Sequence, residues 1–525
     1  MLLFAEEPEA GVQDGWCYEK GVCATGSRKR RKKRRDHSIF PDVENKRKGV
    51  ISHMFDLSQL ISRVMQDADD FNELEEKLHK MLMEAGRAIL QAALAAMDTR
   101  LMRKRAEGLR SLGKRERTVI TRFGTVKIKR RYYRDAQGRG RFLLDEALGW
   151  ESGLAMTEAL EARALKMCSE SSFRKSADDL SFFLSERVTH TMLHKLVRRR
   201  GAEVAGKQEA LAEELFSQGV LPPTEGRIAE RLFMEADGCM ISLQREDKSR
   251  HELKAGISYE GWEKVGRGAG GVKFRTVGKR SFLSAGPAPD FLAQWSAELA
   301  SVYDYRAVKE TVWSADGASW LAQGPDLFSV TAAQLDRFHL SRSIKRALGF
   351  CPQATHLVSL ARAGKAEEVV ASLRGHLARA QDPAKRKRIF QAISYIEGCS
   401  ERLSDWRLTL KPRPGDRSLG AMESNVDKLI ADRFKKRGMS WSVQGSGHMC
   451  KVIELTRNGE LQQWCRRRRA ADTKTQSLAI KEVRKEVRRD PEAWCRAHMP
   501  YLTAKSGDPW VKDILRVMAG LALSA

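Results

Sequence analysis

From Phe71 the apolar residues recur at Leu74, Leu78, Met81, Leu82, Ala85, Ile89 and Leu90. That spacing, with charge on the opposite side, predicts one long helix within 57–115. Its stripe either packs on the rest of the chain or pairs with a second copy. Across 116–150 the period falls to two. RTVITRF and TVKIKRRYYRD flank Gly124, which predicts a small β unit closed by a hairpin. Lys127, Lys129, Arg130 and Arg131 beside Tyr132 and Tyr133 make that unit either a phosphate-contacting surface or a charge-protected edge. Helical spacing returns in 151–218. There SSFRKSADDLSFFL, the turn SERV and THTMLHKLVRRRG predict two short helices in helix-turn-helix geometry, the second capped by Thr189 or Thr191. Lys195, Arg198, Arg199 and Arg200 load its far end with cations and are candidate DNA contacts. GVLPPTEGR at 219–227 reads as a linker.

Residues 228–350 alternate again. RLFMEADGCMISLQR is a long strand, HELKAGISYE a second and GVKFRTVGKRSFLSA a third. The helix PDFLAQWSAELASVY follows, then a fourth strand, ETVWSADGA, ending at Asp316. TAAQLDRFH is a fifth strand, leading into the helix LSRSIKRAL. This order resembles the ribonuclease-H-like arrangement, which implies that the first and fourth strands are neighbours and that their acids project together. Residues 351–420 predict helices in HLVSLARAG, AEEVVASLRGHLARA and KRKRIFQAISYIEG, returning through the loop KPRPGDRSLG. In 421–460 Glu423 opens a helix with Val426, Leu429, Ile430 and Phe434 as its buried stripe. Arg433, Arg437 and Trp441 follow at steps of four, a face suited to a DNA backbone and a stacked base unless Gly438 ends the helix before Trp441. The tail, 461–525, is basic and helical and reads as solvated.

A chain of 525 residues implies two to four domains. Its net charge of +26 and pI near 9.8 favour a polyanionic partner. The nine cysteines contain no C-x-x-C pair, which fits neither a disulfide framework nor a zinc site and suits a reducing cytosol. No apolar run approaches the roughly 18 residues of a membrane span, and MLLFAEEPEA is no signal peptide. The expected location is cytoplasmic. The leader, 1–56, carries RKRRKKRR at 28–35. It reads as a disordered basic arm on DNA, an import signal, a solvated tail, or an extension upstream of a true start at Met54.

Three acidic stretches carry the candidate chemistry: FMEADGCM at 233–240, VWSADGASW at 312–320 and GAMESNVDKLI at 420–430. Cutting or joining a phosphodiester needs a nucleophilic oxygen and a stabilised leaving oxygen in line across phosphorus. Two divalent ions about 3.5–4 Å apart serve both, and they need carboxylate ligands. Asp237, Asp316 and Glu423 are the expected ligands for two Mg²⁺ or Mn²⁺ ions, with Asp237 bridging. Glu235 lies two residues from Asp237, on the same strand face, so spacing does not choose between them.

MEADGCMISLQ, KSRHELKAGISYEG, SADGASWL, LDRFHL and GAMESNVDKLIADRFKKRGMSW together resemble bacterial insertion-sequence transposases of the Mutator-like superfamily, the group with EAD in the first strand. The likeness covers roughly 228–460 and, more loosely, the segments before it. It implies a ribonuclease-H-like α/β core with a helical insertion before the last acid, preceded by helical and small β DNA-binding modules. It also implies metal on Asp237, Asp316 and Glu423. Asp336 and His339 match the superfamily's Cys-or-Asp, two residues, His signature and are further catalytic candidates. The activity implied is binding of terminal inverted repeats in double-stranded DNA, strand cleavage and joining to target DNA, as a homo-oligomer. Neither a membrane nor a small-molecule substrate is expected. The alternatives are a catalytically silent, domesticated DNA-binding protein and a structure-specific nuclease of the same fold.

Overall fold

A computed structural model describes residues 68–499, apart from 154, 269–270, 437 and 468–472, together with residues 65 and 512. The basic leader lies outside these. The long apolar stripe forms helix α1 (Phe71–Arg103), capped by Asp70, whose side chain accepts from the Glu73 N–H at 2.8 Å. Strands β1 (Arg110–Thr121), β2 (Gly124–Arg134) and β3 (Gly140–Arg141) make the small antiparallel sheet. Thr121 pairs with Gly124, and the φ of +90° at Gly124 supplies the left-handed turn. After α2 (Leu143–Leu148) come α3 (Glu158–Glu170), α4 (Phe173–Leu184) and α5 (His190–Phe216). Ser172 and Thr189 cap α4 and α5. The last of these runs 27 residues, well past RRRG, because Val204, Gln208 and Ala212 keep burying one face.

The chain is mixed α/β. Its central element is a five-stranded sheet of β4 (Arg231–Ser242), β5 (Arg250–Tyr259), β8 (Arg280–Ser284), β9 (Glu310–Ala315) and β10 (Ala332–Leu335). The order is β10-β9-β4-β5-β8. The first three in sequence are antiparallel neighbours, while β9 runs parallel to β4 and β10 parallel to β9. The expected third strand is divided. Its first part, β7 (Gly271–Val277), pairs with β6 (Gly261–Gly268) in a separate two-stranded ribbon, and only β8 joins the sheet. Gly278, with φ +63°, lies at the break.

Period two along β4 sorts its side chains. Leu232, Met234 and Ala236 face α6 (Ala288–Val302) and its Phe291 and Trp295. Phe233, Cys239 and Ile241 face the opposite core, with Leu429, Ile430 and Phe434. Glu235 and Asp237 belong to this second face. After β10, α7 (Arg337–Leu348) leads into α8 (Pro352–Arg362), α9 (Ala366–Arg379) and α10 (Pro383–Gly398). These helices bury Leu357, Val369, Leu373, Ile389 and Ile393 in a core of their own.

The segment opened by Glu423 is shorter than its pattern suggests. A helical turn, α11 (Met422–Val426), passes into a π turn over Asp427–Ala431 and a last turn at Asp432–Phe434. Gly438 then takes φ +60°, and Trp441 turns back to β4, bonding Ser242 O and the Gln244 N–H through its backbone. Helix α12 (Val443–Arg457) packs under the sheet, followed by α13 (Leu461–Arg467). The tail is not simply solvated. Its helix α14 (Thr473–Arg489) lies on α1, where Arg100 bonds Glu482 and Glu486, Lys104 bonds Glu482 at 2.7 Å, and Val483 joins Ala96 and Met97. No helix of the described residues is long and apolar enough to cross a membrane.

Candidate metal centre

Three neighbouring strands deliver carboxylates to one place. The register pairs Ala236 of β4 with Ala315 of β9, and Leu335 of β10 with the same Ala315. One step further along each strand stand Asp237, Asp316 and Asp336, at one level of the sheet. Asp237 lies inside its strand, as the long RLFMEADGCMISLQR pattern predicts, because β4 runs on to Ser242. Asp316 does follow the last residue of its strand, and its Oδ1 accepts from the Ala318 N–H at 3.0 Å. Gly317 permits a close approach there. A Cβ at 317 would stand 2.5 Å from the ring of Tyr395, so the helical insertion packs against the turn that presents Asp316.

The fifth strand stops at Leu335, earlier than TAAQLDRFH suggested, since Asp336 caps α7. Its Oδ1 accepts from the His339 N–H at 2.9 Å and lies 2.9 Å from His339 Nδ1. His339 therefore occupies a first helical turn rather than a strand end. With Nδ1 turned to Asp336, Nε2 is the nitrogen left to offer, an orienting bond of the kind metal-binding histidines use. Asp237, Asp316 and His339 each present a ligand atom within 4.8 Å of the other two. Glu423 lines the same cleft but is exposed and stands outside that close group.

Electrostatics mark the cleft as short of positive charge. Burial pushes the Asp237 carboxyl up to about 7; Asp316 and Asp336 add to this, while His339 and the Gly238 N–H oppose it. The hydrogen bond to Asp336 raises the His339 pKa, with burial opposing and Asp237 reinforcing. Burial would also raise Asp336, but the bonds from His339 hold it below its usual value.

Of the two acids that spacing left open on β4, only Asp237 faces this group. Glu235 is 1 % exposed. Its Oε1 accepts from Tyr259 OH at 2.5 Å and from the Ala421 N–H at 3.2 Å. Its Oε2 accepts from the Gly420 and Met422 N–H groups, both at 3.1 Å. Burial pushes its carboxyl up, against those bonds. Glu235 therefore clamps the segment that carries Glu423. A second acid two residues away on a buried strand face was the available sign of such a role.

The expected DNA contacts divide. Lys195 and Arg198 are exposed, and Arg198 Nη2 reaches Gln444 Oε1 at 3.3 Å. Arg199 instead meets Glu151 at 3.1 Å and Glu203 at 3.3 Å. Arg200 is buried, 2.6 Å from both Glu161 and Glu203. Both serve packing because carboxylates on α3, α5 and the 151 loop already neutralise them. Arg433 is buried too, donating to Cys168 O at 2.7 Å, with its guanidinium 4.7 Å from the Trp441 ring centre. Trp441 lies inside, its ring 4.7 Å from that of Phe434, so no stacking face is presented. The short helix and the turn at Gly438 break the four-residue face on which both assignments rested. Arg437 lies outside the described residues.

Two carboxylate oxygens and one imidazole nitrogen fit one divalent ion on the border between hard and transition-metal preferences, so Mn²⁺ suits the set at least as well as Mg²⁺. Among the described residues the close group is Asp237, Asp316 and His339, with Glu423 on the lining of the same cleft.

Three relatives come from Caldanaerobacter subterraneus subsp. tengcongensis. A UPF0236 protein whose name carries eleven locus designations is 21% identical over 460 residues, 86% of this chain and 91% of that one. Another, with four designations, is 20% identical over the same shares. A third is 20% identical over 440 residues, 82% of this chain and 88% of its own length. A family model described as an uncharacterised protein family, UPF0236, matches residues 65–470, and the chain belongs to that family.

Proposed function

We propose that the protein is a metal-dependent DNA transposase of the Asp-Asp-Glu type, which cuts the ends of a mobile element and joins them to target DNA. The observation that carries this is the meeting of Asp237 and Asp316 from adjacent parallel strands, with Glu423 on the rim of the same cleft. The sheet order, three antiparallel strands followed by two parallel ones on the far side of the first, agrees with a ribonuclease-H-like core. So does a helical insertion between β10 and Glu423. A relative named for eleven loci of one organism fits a gene that multiplies within its genome. The net charge of +26 suits a DNA partner.

In this reading Asp237, Asp316 and His339 hold metal, with Glu423 completing the site. Divalent metal, when bound, activates the attacking oxygen and steadies the leaving one. Asp336 fixes the His339 ring, and Glu235 holds the Glu423 segment against β4. The test is incubation of the purified protein with Mn²⁺ or Mg²⁺ and duplexes taken from the DNA flanking its gene. Strand cleavage leaving 3′ hydroxyls, followed by joining, is expected, and a chelator should abolish both. A protein that binds these duplexes and either ion yet never cuts would reduce the proposal to a silent DNA-binding protein.

A further inference from the structure

The β6–β7 ribbon belongs to neither the sheet nor the acidic cleft, and its chemistry is distinctive. It pairs only with itself, Trp262 at its root packing on Phe233 and Tyr259. A two-stranded hairpin alone is marginal in water. This one also carries Lys264, Arg267, Lys273 and Arg275 against a single acid, Glu263. Glu263 is taken by Arg275. Lys264, Arg267 and Lys273 are exposed, and none has an ion-pair partner among the described residues. Edge protection accounts for some charge on such an element, and three cations without carboxylate partners among the described residues also suit a polyanion.

Register shows how they are arranged. Lys264 lies opposite Phe274 and Arg267 opposite Val272, while Lys273 lies opposite Gly266 and Arg275 opposite Glu263. Opposed residues share a face and neighbours alternate. Lys264 and Arg267 therefore mark one face and Lys273 and Arg275 the other. A ribbon that lay flat on one phosphate backbone would need cations on one face only. Cations on both faces suit an element flanked by two backbones, and the major groove, about 12 Å wide, admits a two-stranded ribbon. The foot of the ribbon touches the segment bearing the last acid. Arg417 stacks 3.8 Å from the centre of the Phe274 ring, and Lys279 donates to Asn425 Oδ1 at 2.7 Å.

We propose that β6–β7 is a DNA-binding ribbon that enters the major groove of duplex DNA beside the acidic cleft, with Lys264, Arg267 and Lys273 on the flanking phosphates. This rests on the transposase reading for its partner. The test uses the full chain with Lys264→Ala, Arg267→Ala and Lys273→Ala combined, and fluorescence anisotropy on duplexes from the gene's flanks across a salt series. Thermal unfolding should match wild type, since the three side chains are exposed. The slope of log affinity against log salt should become shallower by about 0.9 for each cation that meets a phosphate. Protection of guanine N7 from dimethyl sulfate, a major-groove signal, should disappear with it. If wild type binds the duplex and the triple variant keeps its slope and N7 protection, the ribbon proposal is overturned and the transposase reading stands. If wild type prefers single-stranded RNA to the duplex, or binds no nucleic acid, the transposase reading fails first and the ribbon's partner with it.

Discussion

Two charge clusters stand out along this chain, the acids at 237, 316 and 336 and the cations at 195–200, and the fold treats them differently. The acids arrive at one level of three parallel strands with one imidazole among them, and burial pushes Asp237 up to about 7. Arg199 and Arg200 come to rest beside Glu151, Glu161 and Glu203, on neighbouring elements more than 35 residues away or on their own helix. A run of like charge in sequence is thus no evidence of a ligand until its neutralising partners are known. Where the protein supplies partners the charges hold the fold together. Where it does not, an outside counter-ion is implied.

The largest expected effect tests the uncompensated side of that contrast. Asp237→Asn should lower cleavage on the order of a thousandfold or more, as removal of one member of a catalytic unit does. Metal-free stability should be unchanged or slightly higher, because the amide removes a charge that burial and the neighbouring acids disfavour. In wild type, Mn²⁺ should raise the melting temperature, by the equivalent of about 2.7 kcal/mol at a hundredfold excess over Kd, and most of that rise should vanish in the variant. On the compensated side, Arg200→Ala should cost roughly 3–5 kcal/mol by denaturant unfolding, since it removes the buried cation that bonds both oxygens of the buried Glu161. An unchanged unfolding curve would mean that the arginine is not structural after all.

Much of the site was legible because strand periodicity is local. The strands around Asp237 and Asp316 could be placed from alternation alone, whereas their adjacency was only implied by a likeness to ribonuclease-H-like folds. The details that escaped depend on partners distant in sequence. Nothing near Glu482 announces Arg100, 382 residues away. Arg433, Arg437 and Trp441 share a face only while the helix after Glu423 persists; Gly438 was its visible stop, whereas nothing in the sequence announced the π turn. The third strand looked whole because β7 and β8 share one alternating pattern, although Gly278 divides them. His339 was placed on a strand although an Asp directly before a helical run is a common N-cap.

Glu235 sharpens the contrast within a single strand. Glu235→Gln would turn an amide NH₂ toward backbone N–H groups that now donate to a carboxylate, so a loss of about 1–3 kcal/mol in stability is expected. Activity should fall because the Glu423 segment loosens, while Mn²⁺ binding at Asp237, Asp316 and His339 persists. An active Asp237→Asn beside an inactive Glu235→Gln would reverse the two roles. His339→Ala should fold and bind DNA but cleave poorly, since the Asp336 cap survives through the backbone N–H. Wild-type cleavage from it would return the histidine to a purely capping environment.

The smallest expected effects compare cations on one helix. Lys195 and Arg198 are exposed, whereas Arg199, on the same turn, is held by Glu151 and Glu203. Lys195→Ala and Arg198→Ala should leave stability within about 0.5 kcal/mol of wild type. If these side chains meet phosphates, each substitution should make the salt slope of DNA binding shallower by about 0.9. Arg199→Ala should do the reverse. Its pairs are partly exposed, so it should cost no more than about 1 kcal/mol of stability, with the salt slope unchanged. The three variants carry the same nominal loss of one charge, and only the partners of that charge differ. Should Arg199→Ala weaken DNA binding as much as Lys195→Ala at unchanged stability, ion pairing would not separate structural from ligand-binding cations here, and the contrast between the two clusters would lose its physical basis.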